Sequence, residues 1–254
     1  MVYENLISFL SFGQIFGIKS LVLFYYKKWH LLHLPFSLPV FGRISHPEEL
    51  RNIRDNILQG TIRDRLVEKQ IRAADGPVIV DCGINVGISV RWWFFLNSRS
   101  RVYGFDMMRE ANDFTTQSLP ERFQARYVPI TAVLAGQTGP RLDIRYEDPL
   151  FGGNSILVSG QDRKKRQVEA ITLDDGLAPY DLRMIDFLKV DIEDSAAAMF
   201  RGASRTLPKV KNILLEIHSD QERDDSLAFL ASQGFRVRKA FKRHIWFDKP
   251  STKN

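Results

Sequence analysis

Val78-Ile79-Val80-Asp81-Cys82-Gly83-Ile84-Asn85-Val86-Gly87 reads as a buried strand that breaks into a glycine loop. Three β-branched residues run to an acid. Glycines at 83 and 87 then let the backbone approach a ligand before an apolar stretch, Ile88 to Leu96, opens a helix. Strand, loop and helix make half of a dinucleotide-type α/β unit.

Outward from this segment the alternation continues. Strands are expected at Val78 to Val80, Arg101 to Phe105 and Arg126 to Ile130, with helices over Arg91 to Leu96 and Ala111 to Leu119 between them, the pattern of a parallel sheet. From Arg141 to Thr172 two strand-like runs, Arg141 to Tyr146 and Gln167 to Thr172, flank Phe151-Gly152-Gly153-Asn154-Ser155, and read as an inserted antiparallel flap. Alternation resumes with a strand over Phe187 to Ile192, a helix over Ala196 to Leu207, a strand over Asn212 to Ile217 and a helix over Ser226 to Gln233. Gly234 closes that last helix, and Phe235 to Lys239 with His244 to Phe247 form a terminal hairpin across Lys242-Arg243.

Upstream, Pro35, Pro39, Gly42 and Pro47 mark an extended connector, and apolar spacing at Leu50, Ile53, Ile57 and Leu58 predicts a helix between Pro47 and Glu68. The stretch from Leu6 to Phe24 is rich in Leu, Ile and Phe, but Ser8, Ser11, Gln14, Lys19 and Ser20 interrupt it within one membrane thickness, so a spanning helix is not expected. Glu4 is its first charge and no small-residue cleavage site follows, a poor match to a signal peptide. Two readings remain for it: a helical cap on the core, or an interfacial helix with Lys27, Lys28 and Trp29 at the headgroup level.

With 44% apolar and 26% charged residues in 254, the chain can bury one large α/β core. A net charge of +6 favours anionic surfaces or substrates but falls short of a nucleic-acid-binding tail, and nucleic acid is not the expected partner. Arg163-Lys164-Lys165-Arg166 reads as a solvated loop, or as a contact for an anionic substrate. Cys82 is the only cysteine, so no intrachain disulfide can form; a small buried residue in a reducing compartment fits.

Asp81 ends the first strand and Asp106 the second, where a carboxylate can accept hydrogen bonds from the ribose hydroxyls of an adenosine. A pyrophosphate loop wants Gly-x-Gly-x-x-Gly, whereas Gly83 and Gly87 flank Asn85 without a third glycine. S-adenosyl-L-methionine, with a ribose but no pyrophosphate, suits the loop better than NAD. A second constellation is Lys189-Val190-Asp191-Ile192-Glu193, followed by Glu216-Ile217-His218. Both lie at carboxyl ends of strands that should be neighbours, where open α/β sheets bind ligands. Alternation puts Lys189, Asp191 and Glu193 on one side of their strand, which calls for pairing or a ligand. Asp191, Glu193 and His218 are the candidate bases, with Lys189 steadying the carboxylates. One histidine after one glutamate does not make a metal site, and none is expected.

These segments resemble the FkbM-type family of S-adenosylmethionine-dependent methyltransferases over about residues 78 to 218. The resemblance rests on Val80 to Gly87, Gly153-Asn154-Ser155-Ile156, Thr172-Leu173-Asp174-Asp175, Leu188 to Glu193, and Glu216 with His218. It implies a class I, Rossmann-like methyltransferase fold with a seven-stranded, mostly parallel sheet. It also implies O-methylation of a sugar, glycan or related natural product. The cofactor would be held by Asp81, Gly83, Asn85, Gly87 and Asp106. Asn154, Ser155 and Glu216 would face the substrate. Asp106-Met107 stands where the family has Glu-Pro, and Asp194-Ser195-Ala196 where it has Gly-Ala-Glu; the second departure motivates an alternative, a non-catalytic or repurposed cofactor-binding module. The expected organisation is an N-terminal helical extension and connector over residues 1–46 and a methyltransferase domain over 47–254 with residues 141–172 as its flap. The expected location is cytoplasmic; peripheral membrane contact through the N-terminal segment follows only on the interfacial-helix reading.

Overall fold

The computed structural model describes residues 36–38, 42–44, 46–152, 154 and 164–250. The expected helical or interfacial segment over residues 1–35 lies outside them, as do Ser155 and Arg163. Where an extended connector was expected, β1 (Phe36–Leu38) and β2 (Gly42–Ile44) pair as an antiparallel ribbon. The chain then enters α1 (Pro47–Asn52) and continues through one π-helical stretch, Ile53–Leu58.

The single helix expected between Pro47 and Glu68 is therefore broken. Gly60 takes φ +75°, a left-handed conformation that ends the helix cheaply only for glycine, and Thr61 turns its hydroxyl back to the Asp55 carbonyl. Asp64 restarts α2 (Arg65–Ala73) as its N-cap, accepting from the N–H groups of Leu66 and Val67.

There follow β3 (Val78–Cys82), α3 (Ile88–Leu96), β4 (Arg101–Asp106), α4 (Arg109–Ser118), α5 (Glu121–Gln124), β5 (Tyr127–Thr131) and β6 (Val133–Leu134). Then come β7 (Gly139–Tyr146), β8 (Lys164–Ile171), α6 (Leu173–Leu177), β9 (Ile185–Val190) and α7 (Ala196–Arg201). The chain closes with β10 (Val210–Glu216), α8 (Asp220–Ser232), β11 (Arg236–Phe241) and β12 (His244–Asp248). The helix expected to reach Leu207 stops at Arg201, because Gly202 caps it; a Cβ there would press on the Ala135 carbonyl.

Seven strands form one sheet in the order β5-β4-β3-β9-β10-β12-β11. All neighbours are parallel except β12, which runs antiparallel to β10 and β11. Strand order turns outward in both directions from β3 and β9, so the crevice at their carboxyl ends is the switch point where such sheets bind ligands. Both faces are covered, which explains the largely apolar composition of β3, β9 and β10. One face packs Trp93, Phe94 and Phe187; the other packs Phe105, Leu188 and Phe200.

The expected flap is an antiparallel pair, β7 and β8, to which β6 adds a third strand parallel to β8. Among the described residues, no helix is long and apolar enough to cross a membrane.

Candidate active site

The carboxyl ends of β3, β4, β9 and β10 open on a cavity of about 320 Å³. Gly83, Asn85 and Asp106 line one side and Asp191, Glu193, Glu216 and His218 another. Asn154 reaches in from the loop after β7, while Arg51, Asn52 and Asn56 form a wall on α1 and the π-helical stretch.

The two glycines act differently from the expectation that both make room for a ligand. A Cβ at Gly83 (φ +81°) would overlap the Asp191 backbone oxygen, so this glycine lets the loops after β3 and β9 pack together; it also lines the cavity. A Cβ at Gly87 (φ +72°) would strike the Thr115 side chain, and Gly87 starts α3 away from the cavity lining. Between them Asn85 adopts φ +49° and donates its backbone N–H to Asp106 Oδ2 at 3.0 Å. Met108 N–H donates to the other oxygen at 2.8 Å. Burial outweighs both donors and pushes the Asp106 pKa up to about 6. The Asn85 side-chain oxygen is buried at the cavity without a hydrogen bond. An unpaired acceptor on the glycine loop beside a strand-end carboxylate fits a nucleoside-bearing cofactor.

Asp81 corrects the sequence reading. It does not line the cavity but lies fully buried beneath it, accepting from Trp93 Nε1 at 2.7 Å and paired with Lys189 Nζ at 3.3 Å. Lys189 also donates to the Gly83 carbonyl at 2.9 Å and stands 3.2 Å from Asp191 Oδ2. Burial alone would lower its pKa, but the charges of Asp191, Asp81 and Glu216 raise it. Asp191 shows the converse: burial disfavours its ionised form, yet Lys189 and His218 hold it well below the usual carboxylate range. Cys82 is fully buried, and burial, with the Asp81 charge, pushes its thiol pKa up, as expected of an inert packing residue.

Past β9 the chain makes two consecutive left-handed residues, Glu193 at φ +37° and Asp194 at φ +59°. Aspartate is among the non-glycine residues that tolerate this region, so the departure at 194 is accommodated. The turn brings Glu193 Oε2 to 3.1 Å from His218 Nδ1, while His218 Nε2 lies 3.4 Å from Asp191 Oδ1. Burial opposes the charged imidazole, but the two carboxylates win and push its pKa up to about 10. Glu216 is paired with His244 Nε2 of β12 at 3.0 Å. Asn154 donates to the Asp148 carbonyl at 2.7 Å and keeps its own buried oxygen without a hydrogen bond.

A family model described as the methyltransferase FkbM domain matches residues 81–237. The chain belongs to the FkbM methyltransferase family. It is an S-adenosylmethionine-dependent methyltransferase of class I fold, and S-adenosyl-L-methionine is its cofactor. Among solved structures it is similar to a precorrin-6y C5,15-methyltransferase from Geobacter metallireducens GS-15, at 14% identity and TM-score 0.43, with 72% of this chain and 83% of that one covered. An Aeropyrum pernix fibrillarin with natively bound S-adenosyl-L-methionine gives 13%, 0.43, 74% and 75%. An rRNA methylase from Streptococcus thermophilus gives 14%, 0.42, 72% and 94%. No curated protein matches the chain.

Several residues that support this FkbM site are not marked as such in the sequence. Glu222, buried in the first turns of α8, accepts from the N–H of Ala196 at 3.0 Å and of His218 at 2.9 Å, tying together the loops after β9 and β10. It thus brings a carboxylate to Ala196, where the sequence pattern lacks one. His244 looks like an ordinary strand residue until β12 is placed beside β10. Trp93 could have been suspected, because a buried indole N–H needs an acceptor. Arg166 of the basic run makes a bidentate pair with Glu110, both contacts at 2.7 Å, and so serves the fold.

Proposed function

We propose that this methyltransferase acts on a hydroxyl oxygen of a sugar, glycan or related hydroxylated natural product. The observation that carries the reading is the Asp191–His218–Glu193 cluster on the cavity floor, facing a wall of hydrogen-bonding side chains. Asn154 keeps a buried amide oxygen without a hydrogen bond at the cavity, and Asn52 and Asn56, which bond to each other, line it with further amides, which suits a polyhydroxylated acceptor.

When bound, the cofactor supplies an electrophilic methyl carbon. The chain's own residues do the rest. Asn85 and Asp106 present acceptors to the cofactor's hydroxyl and amino groups, and the asparagines hold the acceptor so that one oxygen is aligned for attack, where orientation supplies much of the rate. An alkyl hydroxyl loses its proton late, to a nearby base. Asp191 and Glu193 both line the cavity and both contact His218, and we assign the proton to one of these two carboxylates.

The test is turnover against a panel of hydroxylated glycans and aglycones, with Asp191→Asn and Glu193→Gln beside the wild type. Slowed methylation in either variant, with S-adenosylhomocysteine affinity retained, supports the reading. Methyl transfer to nitrogen or carbon acceptors only, or normal turnover in both variants, would sink it.

A further inference from the structure

In sequence, Glu216 and His218 offer two ligands and fall short of a metal site. The fold adds a third. Asp191, at the end of β9, joins them so that one ligand atom from each lies within 4.8 Å of the others. His218 sets the geometry. Its Nδ1 is anchored on the Glu193 carboxylate at 3.1 Å, which turns Nε2 toward Asp191; Nε2 makes no hydrogen bond although the side chain is nine-tenths buried. An imidazole held through one nitrogen by a carboxylate, with the other aimed among acids, is how metal-binding histidines are oriented.

The two carboxylates are held in the same manner from outside the cluster. Asp191 leans on Lys189 at 3.2 Å and Glu216 on His244 at 3.0 Å. The separation of His218 Nε2 from Asp191 Oδ1 is 3.4 Å. Two ligands about 2.1 Å from a shared ion, at the tetrahedral angle, stand about 3.4 Å apart. Asp191, Glu193 and Glu216 bring three acids to one end of the cavity, where Lys189 is shared with Asp81.

We infer that Asp191, Glu216 and His218 bind a divalent cation whose remaining positions face the cavity and take an oxygen of the acceptor. One imidazole with two carboxylates suits Mn²⁺, Fe²⁺ or Zn²⁺ rather than a hard, all-oxygen ion. The cation's role toward a hydroxylated acceptor rests on the function proposed above; the site itself stands on the three side chains and their outer partners.

Chelator-stripped protein titrated with Mn²⁺, followed by electron paramagnetic resonance, tests the site. One ion per chain with nitrogen hyperfine coupling from a directly bound imidazole is the expected result. Glu216→Gln and His218→Gln should each weaken binding at least about tenfold, while S-adenosylhomocysteine affinity, measured by calorimetry, holds within about threefold. Zn²⁺ should displace the bound Mn²⁺. Wild-type protein that binds S-adenosylhomocysteine but takes up neither ion stoichiometrically overturns the cation site and leaves the methyltransferase reading intact. So does Mn²⁺ binding without nitrogen coupling that both variants retain. Stoichiometric Mn²⁺ with nitrogen coupling, in a protein that binds no S-adenosylhomocysteine, supports the cation site and counts against the methyltransferase reading.

Discussion

At the scale of single residues, Asp106 and Lys189 show how this site holds charge. Asp106 ends β4 half-buried, its two oxygens taken by backbone N–H groups of the glycine loop and of Met108. With its pKa raised to about 6, the group favours folding most when protonated, and its own contribution to stability falls as pH rises between the unfolded value and about 6. Cofactor binding has the opposite sign, because only the carboxylate accepts freely from ribose hydroxyls. Calorimetry should therefore show S-adenosylhomocysteine affinity of the wild type dropping as pH is lowered through about 6. Asp106→Asn should bind about tenfold more weakly and lose that pH dependence. Lys189 is the sole cation between Asp81 and Asp191 described here. Lys189→Met leaves the fully buried Asp81 without its cation, while Asp191 keeps His218, and urea denaturation should show a loss of about 3–5 kcal/mol.

At the scale of elements, the strands were legible and the breaks between helices were not. β3, β9 and β10 announce themselves as apolar runs ending in acids. The alternation of Lys189 and Asp191 was readable too, but Asp81 as the lysine's partner was not, because it depends on β3 lying beside β9, with Asp81 opposite Lys189 in register. Periodicity likewise blurs α1, the π-helical stretch and α2 into one helix; the break rests on local backbone geometry at Gly60 and on Asp64. That aspartate caps α2 and meets Arg238 of β11 at 2.8 Å, so it joins an early helix to a late strand. Burial would raise its pKa, but Arg238 and the Val67 N–H win and lower it. Its contribution is therefore present above the unfolded carboxylate value and lost as pH falls through the lower folded one. Asp64→Ala should cost about 1–2 kcal/mol at neutral pH, and the gap from wild type should narrow as pH drops below about 4. An unchanged gap at low pH would show that the cap acts through packing instead of charge.

At the scale of the whole molecule, the sheet provides the floor of the cavity while residues ahead of it, Arg51, Asn52 and Asn56, provide a wall. This wall was invisible to a reading that started from the glycine loop, since nothing in Pro47 to Leu58 marks it as facing a ligand. What fixes it to the sheet is an ion pair with no exposure on either side: Arg91 of α3 meets Glu49 of α1 at 2.6 Å, and Glu49 also accepts from the His46 N–H at 2.7 Å. Burial lowers the Arg91 pKa despite Glu49, the mark of a pair that has lost most of its hydration. Such a pair adds little net stability over an apolar replacement but is costly to break on one side. Arg91→Met should thus destabilise by about 3–5 kcal/mol, because Glu49 is left without its cation. Glu49→Leu combined with Arg91→Met should recover most of that loss in urea denaturation, through a coupling of the size seen for residues in contact. If the double variant is as unstable as the single one, the pair is a net source of stability and the wall is held by charge. If it recovers, the pair serves chiefly to fix where α1 sits, and the wall's position over the Asp191–His218–Glu193 cluster is what the charges maintain.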